Sequence, residues 1–226
     1  MGRNAMRWAA AALAMAAAAL IPGAARAEGV PAIGAGRPIM TPQAVRSTYQ
    51  FKALSAHIER SFPGIPQAAV DKAIRYLKAR RVDNLRYVTV IDFNKPSDQE
   101  RMHVIRMQDG QVERYLVAHG SGSGMRYAEK FSNRNQTHQS SLGLYVTGGE
   151  YRGKHGRSMK LHGKEASNSN ALARAIVMHG AKYVSKAYAR RQGRIGRSWG
   201  CPAVDMKHID KLVTQLKGGS VFLIHK

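Results

Sequence analysis

Residues 87–93 read Tyr-Val-Thr-Val-Ile-Asp-Phe, a β-branched and aromatic run that predicts a buried strand. Residues 102–107 alternate apolar and polar side chains, and Asp109-Gly110 then predicts a hairpin turn into a strand over 112–118. Similar patterns recur downstream, at 142–147, 158–161, 175–178 and 220–225. Strands at such short intervals, with few helices between them, predict a mainly β protein whose core is a barrel or a sandwich.

Helical periodicity is confined to short segments around these strands. Three short helices are predicted, at 168–174, 181–190 and 205–217. On the N-terminal side, Thr41-Pro42 predicts one helix start, and the apolar spacing after Pro66 predicts an amphipathic packing helix. The sequence therefore predicts a tether with a small helical N-terminal segment over 28–85. One domain, mainly β with short helices, is predicted over 86–226.

The segment 1–27 has the three-part pattern of a secretory signal peptide. Arg3 and Arg7 precede an uncharged, alanine-rich run over 8–21, and Ala25-Arg26-Ala27 offers small residues for cleavage. The apolar run is shorter than the roughly 20 residues that a bilayer span needs, which favours cleavage after Ala27 over an uncleaved membrane anchor. We therefore expect export, with membrane contact only in transit.

The charge balance is strongly basic. The chain has 36 Lys and Arg against 14 Asp and Glu, a formal net charge of +22. In a cytosolic protein this excess would indicate nucleic acid. For an exported chain, nucleic acid is not the expected partner, and anionic envelope polymers or carboxylate-bearing wall peptides take its place. For any single cluster of Lys and Arg, the alternative is a basic surface that only keeps the protein soluble.

Cys201 is the only cysteine, which excludes an intrachain disulfide and any cysteine-cluster metal site. It lies among turn-forming residues, Ser198, Gly200 and Pro202, which predict a tight loop with an exposed thiol and nearby backbone N–H groups. An acyl-transfer nucleophile needs such an arrangement. An inert core cysteine and an intermolecular disulfide are the alternatives.

His179 is the candidate base for that thiol. It follows the apolar run 175–178 and precedes Gly180, so we expect it at the end of a strand, where catalytic side chains are common. A thiol with an ordinary pKa of about 8.5 needs a base or positive surroundings to ionise at neutral pH. From the pattern alone, a purely structural histidine remains equally open.

His179-Gly180, followed by Ser198-Trp-Gly-Cys201, resembles the signature of the L,D-transpeptidases (YkuD-type) of bacterial cell walls. More narrowly, the chain is similar to the Gram-negative murein L,D-transpeptidase catalytic domain branch. Six blocks have counterparts there in the same order, at 93–97, 117–124, 131–133, 140–148, 151–156 and 196–203. The resemblance covers about 86–226 and implies an L,D-transpeptidase-like β-sandwich or barrel.

The resemblance implies a role for each matching residue. Cys201 would be the nucleophile, His179 the general base, and Gly180 would orient the imidazole through its carbonyl. The backbone N–H groups of Gly200 and Cys201 would form part of the oxyanion hole. Ser198 and Arg197 would shape the loop. The expected cleft residues are Trp199, His119 and Tyr145, and Trp199 stands where most of the wider family has histidine.

The implied reaction is acyl transfer through a thioester. The donor would be a peptidoglycan tetrapeptide stem that loses its terminal D-alanine, and the acceptor would be the side-chain amine of a neighbouring stem or water. Neither a metal nor a cofactor is required. The implied partners are peptidoglycan stem peptides, and the implied location is the periplasm.

Three other interpretations are compatible with parts of the sequence. A papain-like wall amidase would need a histidine after the cysteine, and only His208 and His225 follow Cys201. A zinc peptidase could draw on several histidines, although their spacing fits no common motif; the candidates are His119, His155, His162 and His179. A non-catalytic basic wall-binding protein is the third, and for it Cys201 would be dispensable.

Overall fold

The computed structural model describes residues 48–79 and 82–226. The predicted signal peptide over 1–27, the tether that follows it and the helix start at Thr41-Pro42 lie outside the described residues. All the described residues belong to one compact unit. Within them, no helix has both the length and the apolar character needed to cross a bilayer.

Nine strands form one sheet, which confirms the prediction of a mainly β protein. In chain order they are β1 (Tyr87–Asp92), β2 (Met102–Arg106), β3 (Val112–Tyr115), β4 (Val117–Ala118), β5 (Gly143–Gly153), β6 (Gly156–Gly163), β7 (Val177–Ala181), β8 (Ala203–Asp205) and β9 (Val221–His225). Their spatial order is β3-β2-β1-β9-β5-β6-β7-β8-β4. The pairs β1–β9 and β7–β8 are parallel, and the other pairs are antiparallel.

The sheet curves into a nearly closed barrel, and the connectivity explains why. Its two edge strands are β3 and β4, and a single residue, Leu116, separates them in the sequence. A nine-stranded sheet can bring its opposite edges within one residue only by curling round on itself. The enclosed core includes Phe93, Tyr145 and Phe222, none of which is exposed.

In the part of the chain that the structure describes, four short α-helices accompany the sheet: α1 (Thr48–Ser61), α2 (Gln67–Ala79), α3 (Lys186–Gln192) and α4 (Ile209–Leu216). The helix predicted after Pro66 is confirmed as α2, which buries Val70, Ala73, Ile74 and Leu77 on one face. Together with α1, it forms a second apolar cluster against β1 and β9. The small helical segment thus precedes the strands, as predicted.

Two predicted helices are shorter in the structure because strands β7 and β8 extend into their first residues. The predicted helix at 181–190 begins only at Lys186, where the Ser185 hydroxyl caps it by accepting from the backbone N–H of Tyr188 at 3.0 Å. The predicted helix at 205–217 begins at Ile209, after the unpredicted strand β8. Parallel pairing of Ala181 with Asp205 places the first residue of each predicted helix in a strand, and turns and irregular residues fill 182–185 and 206–208.

The predicted helix at 168–174 is a short 3-10 turn over Ala166–Asn168 followed by turns. The hairpin of β5 and β6 is longer than predicted, and its tip is the pair Lys154 and His155. Residues 149–156 are exposed. This outer half buries no apolar face, so hydrophobic patterning gives no signal for it.

Candidate active site

Cys201 lies in the loop before β8 and is partly buried, less exposed than the sequence predicts. Its side chain packs against the main core cluster. The thiol Sγ donates to the carbonyl oxygen of Ala175, 3.6 Å away, in the segment that leads into β7. The sulfur therefore sits at the surface end of the core, against the start of the strand that carries His179.

Ser198 gives the cysteine loop its shape. Its hydroxyl donates to the carbonyl oxygen of Cys201 at 2.6 Å and accepts from the backbone N–H of Gly200 at 3.1 Å. The Gly200 N–H is thus already engaged, which leaves the N–H of Cys201 as the oxyanion donor of the predicted pair. Within the described residues, the Cys201 N–H has no hydrogen-bond acceptor.

Gly200 has a φ of +119°, a conformation that side chains with a Cβ rarely adopt. A Cβ at this position would stand 2.9 Å from the carbonyl oxygen of Gln139. Both the backbone conformation and the close approach therefore require glycine immediately before the cysteine.

Two neighbouring loops hold the cysteine loop in place. The Ser140 hydroxyl donates to the Gly200 carbonyl at 3.1 Å and accepts from the Gly120 N–H at 3.0 Å. Arg197 Nη1 lies within hydrogen-bond distance of two carbonyl oxygens, those of Ser121 at 3.2 Å and Gly124 at 3.0 Å. These contacts fix the backbone around the thiol independently of any substrate, as a preorganised site requires.

His179 lies inside β7, and not at its end as predicted, because the strand continues to Ala181 in parallel pairing with β8. The side chain is 3% exposed. Its Nδ1 is 2.9 Å from the carbonyl oxygen of Gly180, and because a carbonyl can only accept, Nδ1 carries the hydrogen. Nε2 of the neutral ring is then an acceptor, free to take a proton.

The thiol and the imidazole lie near the same hairpin tip. The ring of His155 stacks on that of His179, with centroids 4.3 Å apart and planes 21° from parallel. The positive charge of Lys154 lowers the pKa of both His179 and the Cys201 thiol. In the sequence, the only signal for this tip is its place in the matching block at 151–156.

Burial works in opposite directions on the pKa values of the two groups. It raises the pKa of the Cys201 thiol, while a backbone hydrogen bond from Val177 and the positive charges of Arg174 and Lys154 oppose it. Burial lowers the pKa of His179 below its ordinary 6.5, and the Gly180 hydrogen bond opposes that effect. At neutral pH, the pair therefore rests as a thiol and a neutral imidazole, the forms from which general-base catalysis starts.

Two of the three predicted cleft residues, Tyr145 and His119, are fully buried. Tyr145 belongs to the core, and its hydroxyl is 2.6 Å from the Ser141 hydroxyl. His119 receives a hydrogen bond from Arg101 at 2.7 Å, and burial lowers its pKa to about 4. Its carbonyl accepts from the N–H of Ser198 at 3.0 Å, so His119 supports the cysteine loop from inside.

Trp199, the third predicted cleft residue, is accessible, with 71% of its surface exposed. Its ring stacks on His138 at a centroid distance of 4.8 Å and is 4° from parallel. The ammonium of Lys154 lies 5.5 Å from the ring centroid. The hairpin tip therefore contacts both sides of the candidate site, His179 through His155 and the cysteine loop through Lys154.

The family model of the L,D-transpeptidase catalytic domain matches residues 63–225. The chain belongs to the L,D-transpeptidase catalytic-domain family. The resemblance to the L,D-transpeptidases is thus confirmed at the level of the family, and the narrower Gram-negative branch stays a prediction. The match begins before β1 and takes in α2, earlier than the resemblance near residue 86. No curated protein sequence matches the chain significantly.

Several solved structures are similar to the chain at low identity. They include the helical cell shape determining protein Pgp2 of Campylobacter jejuni, with 11% identity, a TM-score of 0.42 and coverage of 64% of this chain and 48% of that one. An L,D-transpeptidase from Mycobacterium smegmatis has 10% identity, a TM-score of 0.38 and coverage of 62% and 59%. One from Xylanimonas cellulosilytica has 14% identity, a TM-score of 0.40 and coverage of 84% and 96%. The chain therefore spans about half the length of the first of these structures.

The papain-like and zinc-peptidase interpretations depend on other histidines, and the structure shows where these lie. His208 precedes α4, and its ring packs edge-on against Tyr115 at 5.0 Å. Over 48–79 and 82–226, no three His, Cys, Asp or Glu side chains come together as a group that could hold a metal ion. His155 and His179 meet only by stacking.

Proposed function

We propose that this protein is an exported cysteine acyltransferase that acts on peptidoglycan stem peptides. The family match over most of the chain carries the proposal. It is supported by the position of Cys201 in a loop held by three sets of backbone contacts, two residues before Ala203, which pairs with the buried neutral His179 across β7 and β8. The geometry suits a thiol that must reach an amide carbonyl while its surroundings stay fixed.

In the first half of the reaction, the thiol proton passes to Nε2 of His179 and the thiolate attacks the carbonyl carbon of the donor amide. The carbonyl oxygen becomes an oxyanion, which the N–H of Cys201 stabilises. The C–N bond then breaks, and His179 returns the proton to the departing amine, which is the terminal D-alanine. The product is a thioester on Cys201.

In the second half, an amine of a neighbouring stem attacks the thioester and gives its proton to His179. The C–S bond breaks, the thiolate regains the proton from His179, and the new amide is a crosslink. Water in place of the amine gives a trimmed stem, the carboxypeptidase outcome. The thiol gives up its hydrogen bond to the Ala175 carbonyl when its proton passes to the imidazole.

The proposed location is the periplasm. The pattern over 1–27 supports export, and the net charge of +22 suits a wall polymer that carries free carboxylates. Membrane contact is then confined to transit, and no nucleic acid is involved. Pulse-labelled precursor that stays uncleaved, or activity found only in the cytoplasm, would contradict this part of the proposal.

Digestion of purified sacculi, with muropeptides analysed by mass, tests the activity. Crosslinked stems that have lost D-alanine are expected from the wild type, and trimmed monomers alone would identify the carboxypeptidase. The control is Cys201→Ala, which removes one partly buried sulfur and is expected to fold. Turnover by folded Cys201→Ala would contradict the proposal. Wall binding by both proteins, with turnover by neither, would indicate the non-catalytic protein.

A further inference from the structure

Arg174 lies in the turn that leads into β7, and the proposed mechanism gives it no role. Its guanidinium donates to two backbone carbonyls of one loop, that of Ser132 from Nη1 at 2.6 Å and that of Gln139 from Nη2. A Cβ on Gly200 would stand 3.2 Å from the same Nη2. The guanidinium therefore sits between the 132–139 loop and the residue that precedes Cys201.

The backbone next to Arg174 is also unusual. Ala175 has a φ of +52°, in the left-handed region that residues other than glycine rarely adopt. Its carbonyl oxygen is the one that accepts from the Cys201 thiol. A strained residue persists where its surroundings hold it, and here the arginine on one side and β7 on the other do so. The 174–175 turn thus approaches the cysteine loop twice. The Arg174 side chain lies near Gly200, and the Ala175 carbonyl accepts from the thiol of Cys201.

We propose that Arg174 is a positioning residue, which holds the 132–139 loop against the cysteine loop and stabilises the negative charge of the Cys201 thiolate. The guanidinium keeps its charge throughout the accessible pH range. It is half-buried, so water screens its attraction for the thiolate less than at the surface. This inference rests on the proposed role of Cys201 as nucleophile.

The electrostatics around the thiol agree with this role. The positive charge of Arg174 lowers the pKa of Cys201, against the larger effect of burial. Burial likewise lowers the pKa of Arg174, and the negative charges of Tyr145 and the thiolate oppose that effect. The other titratable groups that interact with the thiol come from other elements. They include Lys154 at the hairpin tip, Tyr145 in β5 and Tyr183 after β7.

Alkylation of Cys201 by iodoacetamide tests the proposal without any substrate. Because the chain has one cysteine, the rate of alkylation against pH reports this thiol alone. Arg174→Gln is expected to slow alkylation at pH 7 about three- to tenfold, as expected for the loss of one nearby opposite charge. Arg174→Lys, which keeps the charge but not the planar pair of donors, should restore most of the rate.

The matched control is Arg126→Gln, which removes the same charge from an exposed ion pair with Asp98 and should leave the rate unchanged. If Arg174→Gln is too unstable to assay, Arg174→Met fills the half-buried space without an unpaired amide. The proposal would be overturned if Arg174→Lys were alkylated at the same rate as the neutral variant. It would also be overturned if the neutral variant were alkylated as fast as the wild type. If the alkylation rates follow the expected pattern but the wild-type protein shows no turnover, the proposed function is refuted instead.

Discussion

At the scale of single residues, the site depends on backbone positions as much as on side chains. Gly200 combines a positive φ with a close approach to the Gln139 carbonyl. Gly193, after α3, also has a positive φ of 65°, but nothing lies within 4 Å of where its Cβ would stand. Alanine at either position introduces backbone strain, but only alanine at Gly200 also displaces the cysteine loop. Comparing the two variants therefore separates these effects.

Gly200→Ala is expected to lower kcat/KM by about 10²-fold or more, because the Cβ pushes the loop and the Cys201 N–H away from the oxyanion position. Gly193→Ala has only left-handed strain to bear, about 1–2 kcal/mol, and should keep kcat/KM within about twofold. Steady-state kinetics, with urea unfolding as a check on folding, compares them. An equal loss of activity in both variants would contradict the role given to Gly200.

The depressed pKa of His179 predicts the pH profile of the reaction. Burial lowers this pKa below 6.5, so the neutral base persists to more acidic pH than a free imidazole would. Burial also raises the pKa of the thiol, so the reactive pair stays intact on the basic side. A plot of kcat/KM against pH should be flat near neutrality, with its acid limb below 6.5. An acid limb above 6.5 would contradict this assignment.

At the scale of elements, the hairpin of β5 and β6 reaches the site from outside the barrel. Its tip stacks His155 on His179 and places Lys154 over Trp199. The stacked rings favour one orientation of the His179 imidazole. Since a charge on His155 also lowers the pKa of His179, the stack has a geometric and an electrostatic effect that variants can separate.

His155→Ala removes both effects, and His155→Phe removes only the charge. We expect kcat/KM to fall about two- to tenfold in His155→Ala, as the loss of an aromatic pair implies, and to be largely retained in His155→Phe. The acid limb of the pH profile should move to higher pH in both variants. A flat response in both variants, in rate and in pH profile, would show that the tip does not act on His179.

The same elements show what the sequence could and could not predict. Strands with buried β-branched residues, such as β1, and the amphipathic helix α2 were predictable from periodicity. The short strand β8 was not, because three residues carry no period and only pairing with β7 makes them a strand. Cys201 and His179 were found from motifs. Arg174 and His155 were missed as site residues because only the folded chain brings them to the cysteine loop and to His179.

At the scale of the whole molecule, the sheet buries a histidine of β2 on the face that carries Ile105 and packs against the helical cluster, where water cannot reach it. His103 is fully buried, and neither ring nitrogen has a hydrogen-bond partner. Burial, helped by the charges of Lys95 and Arg114, lowers its pKa to about 4. Protonation therefore favours the unfolded chain, and the free energy of unfolding is expected to fall as the pH drops from about 6.5 towards 4.

His103→Leu removes this sensitivity and the two unpaired nitrogens. At pH 7.5, the variant should be as stable as the wild type or more stable, by up to about 3 kcal/mol. Between pH 6.5 and 5, the wild type should lose about 2 kcal/mol relative to the variant, since each pH unit is worth about 1.4 kcal/mol for one titrating group. Urea unfolding at pH 7.5 and 5.0 measures both differences. A constant difference at the two pH values would contradict the prediction.

Capture of the acyl-enzyme is the most direct test of Cys201 as nucleophile. Wild-type protein mixed with a tetrapeptide donor, quenched in acid and analysed by intact mass and peptide mapping, should show the donor's acyl group on Cys201, with D-alanine released. The Cys201→Ala protein should show neither. Released D-alanine from the folded variant, or turnover by a wild type whose acyl group maps to a different residue, would contradict the account.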